Sequence, residues 1–322
     1  MRRRARDVTP SKRPGAPGAR PAVLPSTDPR APHLSVPATK LKQAGRKQEA
    51  MIAWEKCAEA NERTGNDWHA GKHLEQCAQL ARDLARHDQV VAYAERACAA
   101  YVSAGRAQRG AECLGKIARL IDEAAPDEAY DLASRACEML EDDGKAANAR
   151  DFYSLAGAIR MRQEKFADAA ETMLRFGASC DAANAHASLR KAYLSAVVAQ
   201  LYAGNGAEAQ QLYADVGEVD AFQDSDEQRC AYSLISAYRD ADADAVRSAI
   251  AASNALTFLD APFARAARKL PRPGHDLRAV SIAMGGDGGV LAAGERFMDG
   301  IGGGGGGGGG GDSDLPDDED LT

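Results

Sequence analysis

Two histidines, His69 and His73, are the closest approach to a metal-binding motif in this sequence. Residues four positions apart share one face of a helix, so both imidazoles could reach one ion. The zinc-protease pattern H-E-x-x-H needs a glutamate after the first histidine, and Ala70 stands there instead. We therefore interpret both residues as surface histidines and predict neither a metal site nor a cofactor.

Two glycine runs raise the question of a phosphate-binding loop, Gly285–Gly289 around Asp287 and Gly302–Gly311. Such a loop needs a strand before it and a Lys-Ser/Thr pair at its end, and both are missing here. The nucleophile pattern G-x-S-x-G is also absent from the sequence. A run of glycine has high conformational entropy and nothing to pack, so we expect linkers. No catalytic residue is predicted, and the chain is expected not to be an enzyme.

Basic side chains off the apolar stripes of predicted helices are candidates for partner contacts. They are Lys116 and Arg119 in the predicted helix 107–122, and Arg160, Arg162 and Lys165 in the next long helical region. The chain carries a net charge of −7. We expect these side chains to reach solvent or an acidic partner, although solubility explains any single one equally well.

The elements that position these residues follow an internal repeat. Residues 94–105 match residues 133–144 at an offset of 39, and an earlier copy ends at Gly65. Gly65, Gly105 and Gly144 recur at nearly even spacing and suit the left-handed conformation that ends a helix. The repeat fades afterwards, where Ala183 takes the expected glycine position. A period near 39 predicts stacked pairs of helices, slightly longer than tetratricopeptide units.

Each predicted helix carries one apolar stripe. Apolar residues follow helical spacing at Leu114, Ile117, Ala118 and Ile121, and again at Leu194, Val197, Val198 and Leu201. Pro126 with two acids after it marks a helix start. The sequence predicts an all-α fold over residues 41–270, a right-handed tetratricopeptide-like α-α solenoid of helical hairpins.

Both ends differ in composition from this middle part. Residues 1–40 hold nine Lys/Arg against two acids, with scattered prolines, while residues 271–322 are Gly-rich and end in six acids within eleven residues. Neither end buries enough apolar surface to offset its ordering entropy, so both are predicted to be disordered. A targeting segment stays an alternative for residues 1–40. Because the folded body is acidic and lacks interleaved aromatic residues, we predict no nucleic-acid binding.

Seven cysteines, none in a C-x-x-C pair, suggest neither a disulfide framework nor a zinc site. Several lie among Ala and Leu at helical spacing, where we expect small buried side chains in a reducing compartment. No apolar stretch approaches the ~20 residues needed to cross a bilayer. An integral membrane protein is therefore not expected.

Several segments together resemble the soluble NSF attachment proteins, and the gamma class best. They read WEKCAEANERTGNDWHAGKHLEQCAQLARD, AYAERACAAYVSAG, PDEAYDLASRACEMLEDD, FADAAETMLRFG and, at the end, SNALTFLDAPFARAARKL. The last segment resembles that family's C-terminal helical bundle. The resemblance covers about 230 residues and consists of many moderate matches.

The resemblance implies an adaptor that binds the SNARE four-helix bundle, with syntaxin-type members, and presents it to the hexameric ATPase NSF. The implied setting is vesicle-mediated transport, including ER–Golgi transport, in the cytoplasm and peripherally on vesicles or endomembranes. In the family, basic residues of the concave face meet acidic SNARE surface. By position the candidates are Lys116, Arg119, Arg160 and Lys165.

The family's acidic C-terminus, with leucine next to last, engages NSF and stimulates its hydrolysis. The resemblance therefore implies an NSF-binding segment made of Asp317, Asp318, Glu319, Asp320 and Leu321. One departure is the family's N-terminal hairpin with exposed apolar residues, where this chain has Arg and Pro. The long Gly linker is a second departure. A generic helical-repeat scaffold and a helical enzyme with a weak metal site at His69 and His73 stay as alternatives.

Overall fold

The structure is a computed structural model that describes residues 31–286. Within this range all regular structure is helical and no strand occurs, as predicted. The α-helices are α1 Ala31–Gln43, α2 Lys47–Arg63, α3 Asp67–Asp83, α4 His87–Ser103, α5 Ala107–Ile121, α6 Pro126–Asp142, α7 Arg150–Arg162, α8 Phe166–Ala182, α9 His186–Ala203, α10 Gly206–Gly217, α11 Asp226–Arg239, α12 Ala243–Ala252, α13 Ala261–Ala267 and α14 Leu277–Ala283. Short 3-10 helices at Ala146–Ala149 and Ala255–Phe258 complete the set. No helix of residues 31–286 is long and apolar enough to cross a membrane.

From α1 to α9, each helix packs against the next, and alternate helices lie side by side. Helices α2, α4, α6 and α8 form one layer, which we call the even layer. Helices α3, α5, α7 and α9 form the second, the odd layer. The predicted stripes face the seam between the layers, since Leu114 and Ile117 of α5 and Leu194 and Val197 of α9 are fully or almost fully buried. The predicted α-α solenoid is therefore confirmed.

A residue with positive φ ends almost every helix of the solenoid. The predicted glycines Gly65, Gly105 and Gly144 have φ of 72°, 71° and 70°. Residues that are not glycine adopt the same conformation at Ala85, twenty residues after Gly65, and at Glu164 and Asn184, twenty and forty residues after Gly144. Asp224 does so twenty residues after Gly204, which also has positive φ. The structural unit is thus one helix with its turn, about twenty residues long. The sequence repeat of 39 residues therefore spans two such units. Asn184 lies one residue past the predicted position 183.

Small residues set how closely neighbouring helices approach. A Cβ added to Gly115 of α5 would lie under 3.0 Å from three atoms of the Phe152 ring on α7. A Cβ added to Gly177 of α8 would meet the Tyr193 ring on α9 in the same way. Each aromatic ring therefore fills the space that the missing side chain leaves, as a close-packed interior requires.

Helices α10 to α14 form the predicted C-terminal bundle, packed against the end of the odd layer. Phe263 of α13 is fully buried and lies 3.2 Å from where a Cβ of Gly157 would be. Ser154 of α7 donates a hydrogen bond to Asp260 at 2.6 Å. These contacts join segments more than a hundred residues apart in sequence. They fix the last solenoid helices against the bundle.

The folded part extends past the predicted limits of 41 and 270. Helix α1 begins at Ala31, and α14 lies within the predicted linker. Val280 and Met284 of this last region are buried, and Ser281 donates a hydrogen bond to the carbonyl of Arg239. Gly285 has φ of 79° and Gly286 donates to the Ser281 carbonyl, so these two glycines end α14. The remaining glycines of the two predicted linkers, Gly288, Gly289 and Gly302–Gly311, lie outside the described residues, and their interpretation as linker stays a prediction.

All seven cysteines are free and buried, which confirms their predicted role as small core side chains. Burial raises the pKa of the Cys57 thiol to about 11 and that of Cys77 to about 12. Burial also raises the pKa of Cys113 and Cys137. A thiol protonated to this extent is a poor nucleophile.

Candidate functional site

The outer surface of α5 presents two of the predicted basic residues, one helical turn apart. Lys116 is exposed and makes no ion pair with a described residue. Arg119 is half exposed, 3.4 Å from Asp151 Oδ2 at the start of α7, with its guanidinium 5.7 Å from the centre of the Phe152 ring. The glycine contact between α5 and α7 therefore also sets the position of Arg119. The expectation that both side chains reach solvent is confirmed.

Arg160 was predicted to reach solvent or a partner, but its side chain is largely buried because it joins three helices. Its guanidinium lies 3.5 Å from the centre of the Tyr130 ring on α6 and 2.7 Å from Asp127 Oδ1. A further ion pair at 3.6 Å links it to Asp168 of α8. The side chain is only 11% exposed. Tyr130 and Asp127 lie about thirty residues earlier in the chain, so helical spacing alone gave no sign of this contact.

Lys165 and Arg160 converge on one carboxylate. The Lys165 ammonium lies 2.8 Å from Asp127 Oδ1 and stays half exposed. Hydrogen bonds from Lys165, Gln163 and Arg160 hold the pKa of Asp127 well below its usual range. Arg162, the remaining predicted residue, is exposed and pairs with Asp122 at 2.8 Å. The structure thus exposes Lys116 and Arg119 on α5, whereas Arg160 and Lys165 tie α6 to α7 and α8. Arg162 instead pairs with Asp122, the residue that follows α5.

The even layer carries a ladder of arginines that the sequence reasoning missed. Arg96 of α4, Arg135 of α6 and Arg175 of α8 each reach a glutamate two helices earlier. The shortest contacts are Arg96 to Glu62 at 3.2 Å, Arg135 to Glu95 at 2.9 Å and Arg175 to Glu138 at 3.4 Å. The match of Arg96 with Arg135 in the repeat was the signal that could have revealed the ladder. Exposed pairs of this kind are each worth ~0–1 kcal/mol, so their role is mainly to fix alignment.

His69 and His73 differ in their exposure and in what surrounds them. Among residues 31–286, no group of three or more His, Cys, Asp or Glu side chains could hold an ion. His69 is exposed, as predicted. His73 is half-buried and stacks on Trp54 at 4.9 Å between ring centres, so reading it as a surface histidine was wrong. The pKa of His73 is lowered to about 4, mainly because the ring is partly buried. The nearby positive charges of His69 and Lys72 lower it further.

The NSF-binding segment predicted from Asp317 to Leu321 lies outside the described residues, as do residues 1–30. Within the described range, fold and surface together define an α-α helical-repeat protein with a basic pair, Lys116 and Arg119, exposed on α5. The profile of the soluble NSF attachment protein family matches residues 33–262. That match covers helices α2 to α12 in full.

Two relatives agree with this match. The chain is 36% identical over 245 residues to a gamma-soluble NSF attachment protein of Arabidopsis thaliana, covering 76% of this chain and 83% of the relative. It is 23% identical over 201 residues to a gamma-soluble NSF attachment protein of Dictyostelium discoideum, covering 62% of each chain. The chain belongs to the soluble NSF attachment protein family, and the resemblance to its gamma class is confirmed.

Proposed function

We propose that this chain is an adaptor that binds assembled SNARE four-helix bundles and recruits the hexameric ATPase NSF to disassemble them. The observation that carries the proposal is the family match over residues 33–262, which spans the whole solenoid. The ATPase would supply the chemical energy, and this chain would supply attachment. Its place of action would be the cytoplasmic side of transport vesicles or endomembranes, with syntaxin-type proteins among the partners.

The outer surface of α5 supports a contact with the SNARE bundle. Lys116 has no ion pair to break with a described residue, so binding an acidic surface costs it no internal partner. On binding, Arg119 would exchange its exposed ion pair with Asp151 for one with a carboxylate of the partner. Arg160 instead holds α6, α7 and α8 together, and we assign it a positioning role, with Lys165 beside it at the rim.

A binding assay with an immobilised, assembled SNARE bundle tests the contact. We expect Lys116→Glu to weaken binding about tenfold, because like charges that meet across an interface repel. The matched control is Lys56→Glu on α2, another exposed lysine without an ion pair in the described range. Equal affinity of the two variants would contradict the assignment of α5, and the absence of any binding by the unchanged protein would contradict the proposed function.

The acidic segment Asp317–Leu321 is the proposed contact with NSF. A glycine run lies between the solenoid and this segment in the sequence, and a flexible linker of n residues would span a distance on the order of 5–6 Å × √n. The solenoid could thus hold the SNARE bundle while the tail engages the ATPase. Removing Leu321 separates the two activities experimentally, since it leaves all described residues unchanged.

A further inference from the structure

A groove lies at one edge of the solenoid, where two interhelical turns meet. It has a volume of about 730 Å³ and lies between the starts of α3 and α5, the end of α4 and the turn after α6. Two large apolar side chains are exposed in it, Trp68 at 36% and Val102 at 47%. Large exposed apolar groups that line one concave surface mark an interaction site.

The floor of this groove is held rigidly from below. Trp68 packs edge-on against the fully buried Tyr101 ring at 5.2 Å. Tyr101 donates a hydrogen bond to the buried carboxylate of Glu75 at 3.1 Å. Glu75 also accepts from Arg109 at 3.2 Å, and Arg109 reaches Glu112 at 3.1 Å. Because these side chains are already ordered, binding to this surface would cost little additional side-chain entropy.

The rim of the groove carries one more basic than acidic residue, on a chain of net negative charge. Its lining includes three basic residues, Arg106, Arg109 and Lys145, against two acids, Glu112 and Asp143. Arg106 is exposed and makes no ion pair with a described residue. Lys145 has only Asp143 as an ionic partner in the described range, at 2.6 Å. The groove therefore combines an apolar floor with the Arg106 guanidinium, which has no ionic partner among the described residues, and with Lys145, which could exchange Asp143 for another carboxylate. This combination suits an acidic segment that carries an aliphatic side chain.

We infer that this groove is the docking site of the chain's own C-terminal segment, residues 312–322. This segment contains six acids and two leucines, Leu315 and Leu321, in eleven residues. The acids match Arg106 and Lys145, and a leucine matches the floor of Trp68 and Val102. The basic segment 1–40 has the opposite charge and would be repelled by the same rim.

The length of chain after the described residues permits the contact. Leu321 is 35 residues past Gly286, and a flexible segment of this length has a root-mean-square span of about 30–35 Å. The groove and the C-terminal bundle are two places apart in the odd layer, or ~20 Å at usual helix spacing, plus up to ~25 Å along one helix. A tethered segment has an effective concentration on the order of mM, so a weak contact is sufficient.

A docked tail would be withheld from its partner until the groove is vacated. This consequence rests on the proposed function, whereas the docking itself does not. If docking occurs and the proposed function fails, substitutions in the groove will expose the tail, but the rate of ATP hydrolysis by NSF will not change. If docking fails and the proposed function holds, ATPase stimulation is the same with and without an intact groove.

Quenching of tryptophan fluorescence by acrylamide tests the docking in the full chain. The chain has two tryptophans, and Trp54 is buried, so the signal lost in Trp68→Phe measures Trp68. We expect Arg106→Glu to raise the Trp68 quenching constant about twofold. Replacement of the four acids at positions 317–320 by their amides should give the same increase. The matched control is Arg86→Glu, which precedes α4 as Arg106 precedes α5 and is also exposed.

The far-UV circular dichroism spectrum confirms that each variant is folded before quenching is measured. Equal quenching constants for the unchanged chain, Arg106→Glu and the tail variant would overturn the docking site. Zero-length crosslinking of a mixture of isotope-labelled and unlabelled chains adds a second readout. Crosslinks from Lys145 to tail acids within one chain support the inference, and crosslinks only between chains would overturn it in favour of a second copy.

Discussion

Replacing Gly115 by alanine should destabilise the solenoid at the contact that positions Arg119. In the middle of a helix, Gly→Ala normally stabilises by ~0.5–1 kcal/mol. Here the new Cβ would overlap the Phe152 ring. Overpacking of this kind costs ~1–3 kcal/mol. The overlap therefore exceeds the helix-propensity gain, and we expect a net loss of about 1–2 kcal/mol in the free energy of unfolding.

The matched control is Gly217→Ala near the end of α10, where an added Cβ meets no atom within 4 Å. This variant keeps the helix-propensity gain without the overlap, so its stability should be unchanged or slightly higher. Urea unfolding followed by circular dichroism measures both. If Gly115→Ala is as stable as Gly217→Ala, the conclusion that Phe152 fills the space above Gly115 is wrong.

The same overlap should change partner binding as well as stability. Phe152 lies beside Asp151, which pairs with Arg119, so displacing the ring moves both partners of that ion pair. We expect Gly115→Ala to weaken binding of the SNARE bundle at temperatures where the variant remains folded. Unchanged binding would show that the position of Arg119 is not important for the contact.

Three further perturbations test other parts of the structure. Since the pKa of His73 is lowered to about 4 from 6.5, the unfolded state binds more protons between these values, and stability should fall as pH drops from about 6.5 to about 4. His73→Phe should remove that part of the decline in melting temperature, and an unchanged pH profile would refute the assignment. The seven buried thiols should resist a thiol reagent in the native state and react fully in urea, so a rapid native reaction would contradict their burial. Ala85→Gly should raise the free energy of unfolding by about 0.5–1 kcal/mol, because φ of 55° strains an alanine, and a loss of stability would contradict that strain.

The sequence was a good guide where local chemistry decides the structure. Glycine is the residue that adopts positive φ without strain, so Gly65, Gly105 and Gly144 predicted three helix ends correctly. The apolar stripe of α5 follows directly from helical periodicity. The helix ends at Ala85 and Glu164 carried no such signal, because neither residue type favours positive φ. At both ends the next residue donates its backbone N–H to the carbonyl five residues earlier, which closes the turn.

Long-range contacts account for the rest of what the sequence reasoning missed. The burial of Arg160 depends on Asp127 and Tyr130 of another helix, and the stacking of His73 depends on Trp54 of α2. Helix α14 follows a Pro- and Gly-containing segment that is typical of a linker, and its contacts with α10 and α11 stabilise it. The groove around Trp68 and Val102 forms only when helices α3 to α6 are stacked.

The proposed adaptor role is tested most directly by ATP hydrolysis of NSF in the presence of assembled SNARE bundles. We expect the full chain to bind the bundle and to raise the hydrolysis rate. Deletion of Leu321 and Thr322 should abolish the increase while bundle binding persists, and removal of Thr322 alone is the control for shortening. If the full chain binds the bundle and hydrolysis does not rise, or if the rise survives loss of Leu321, the proposed attachment of the ATPase through this tail is contradicted.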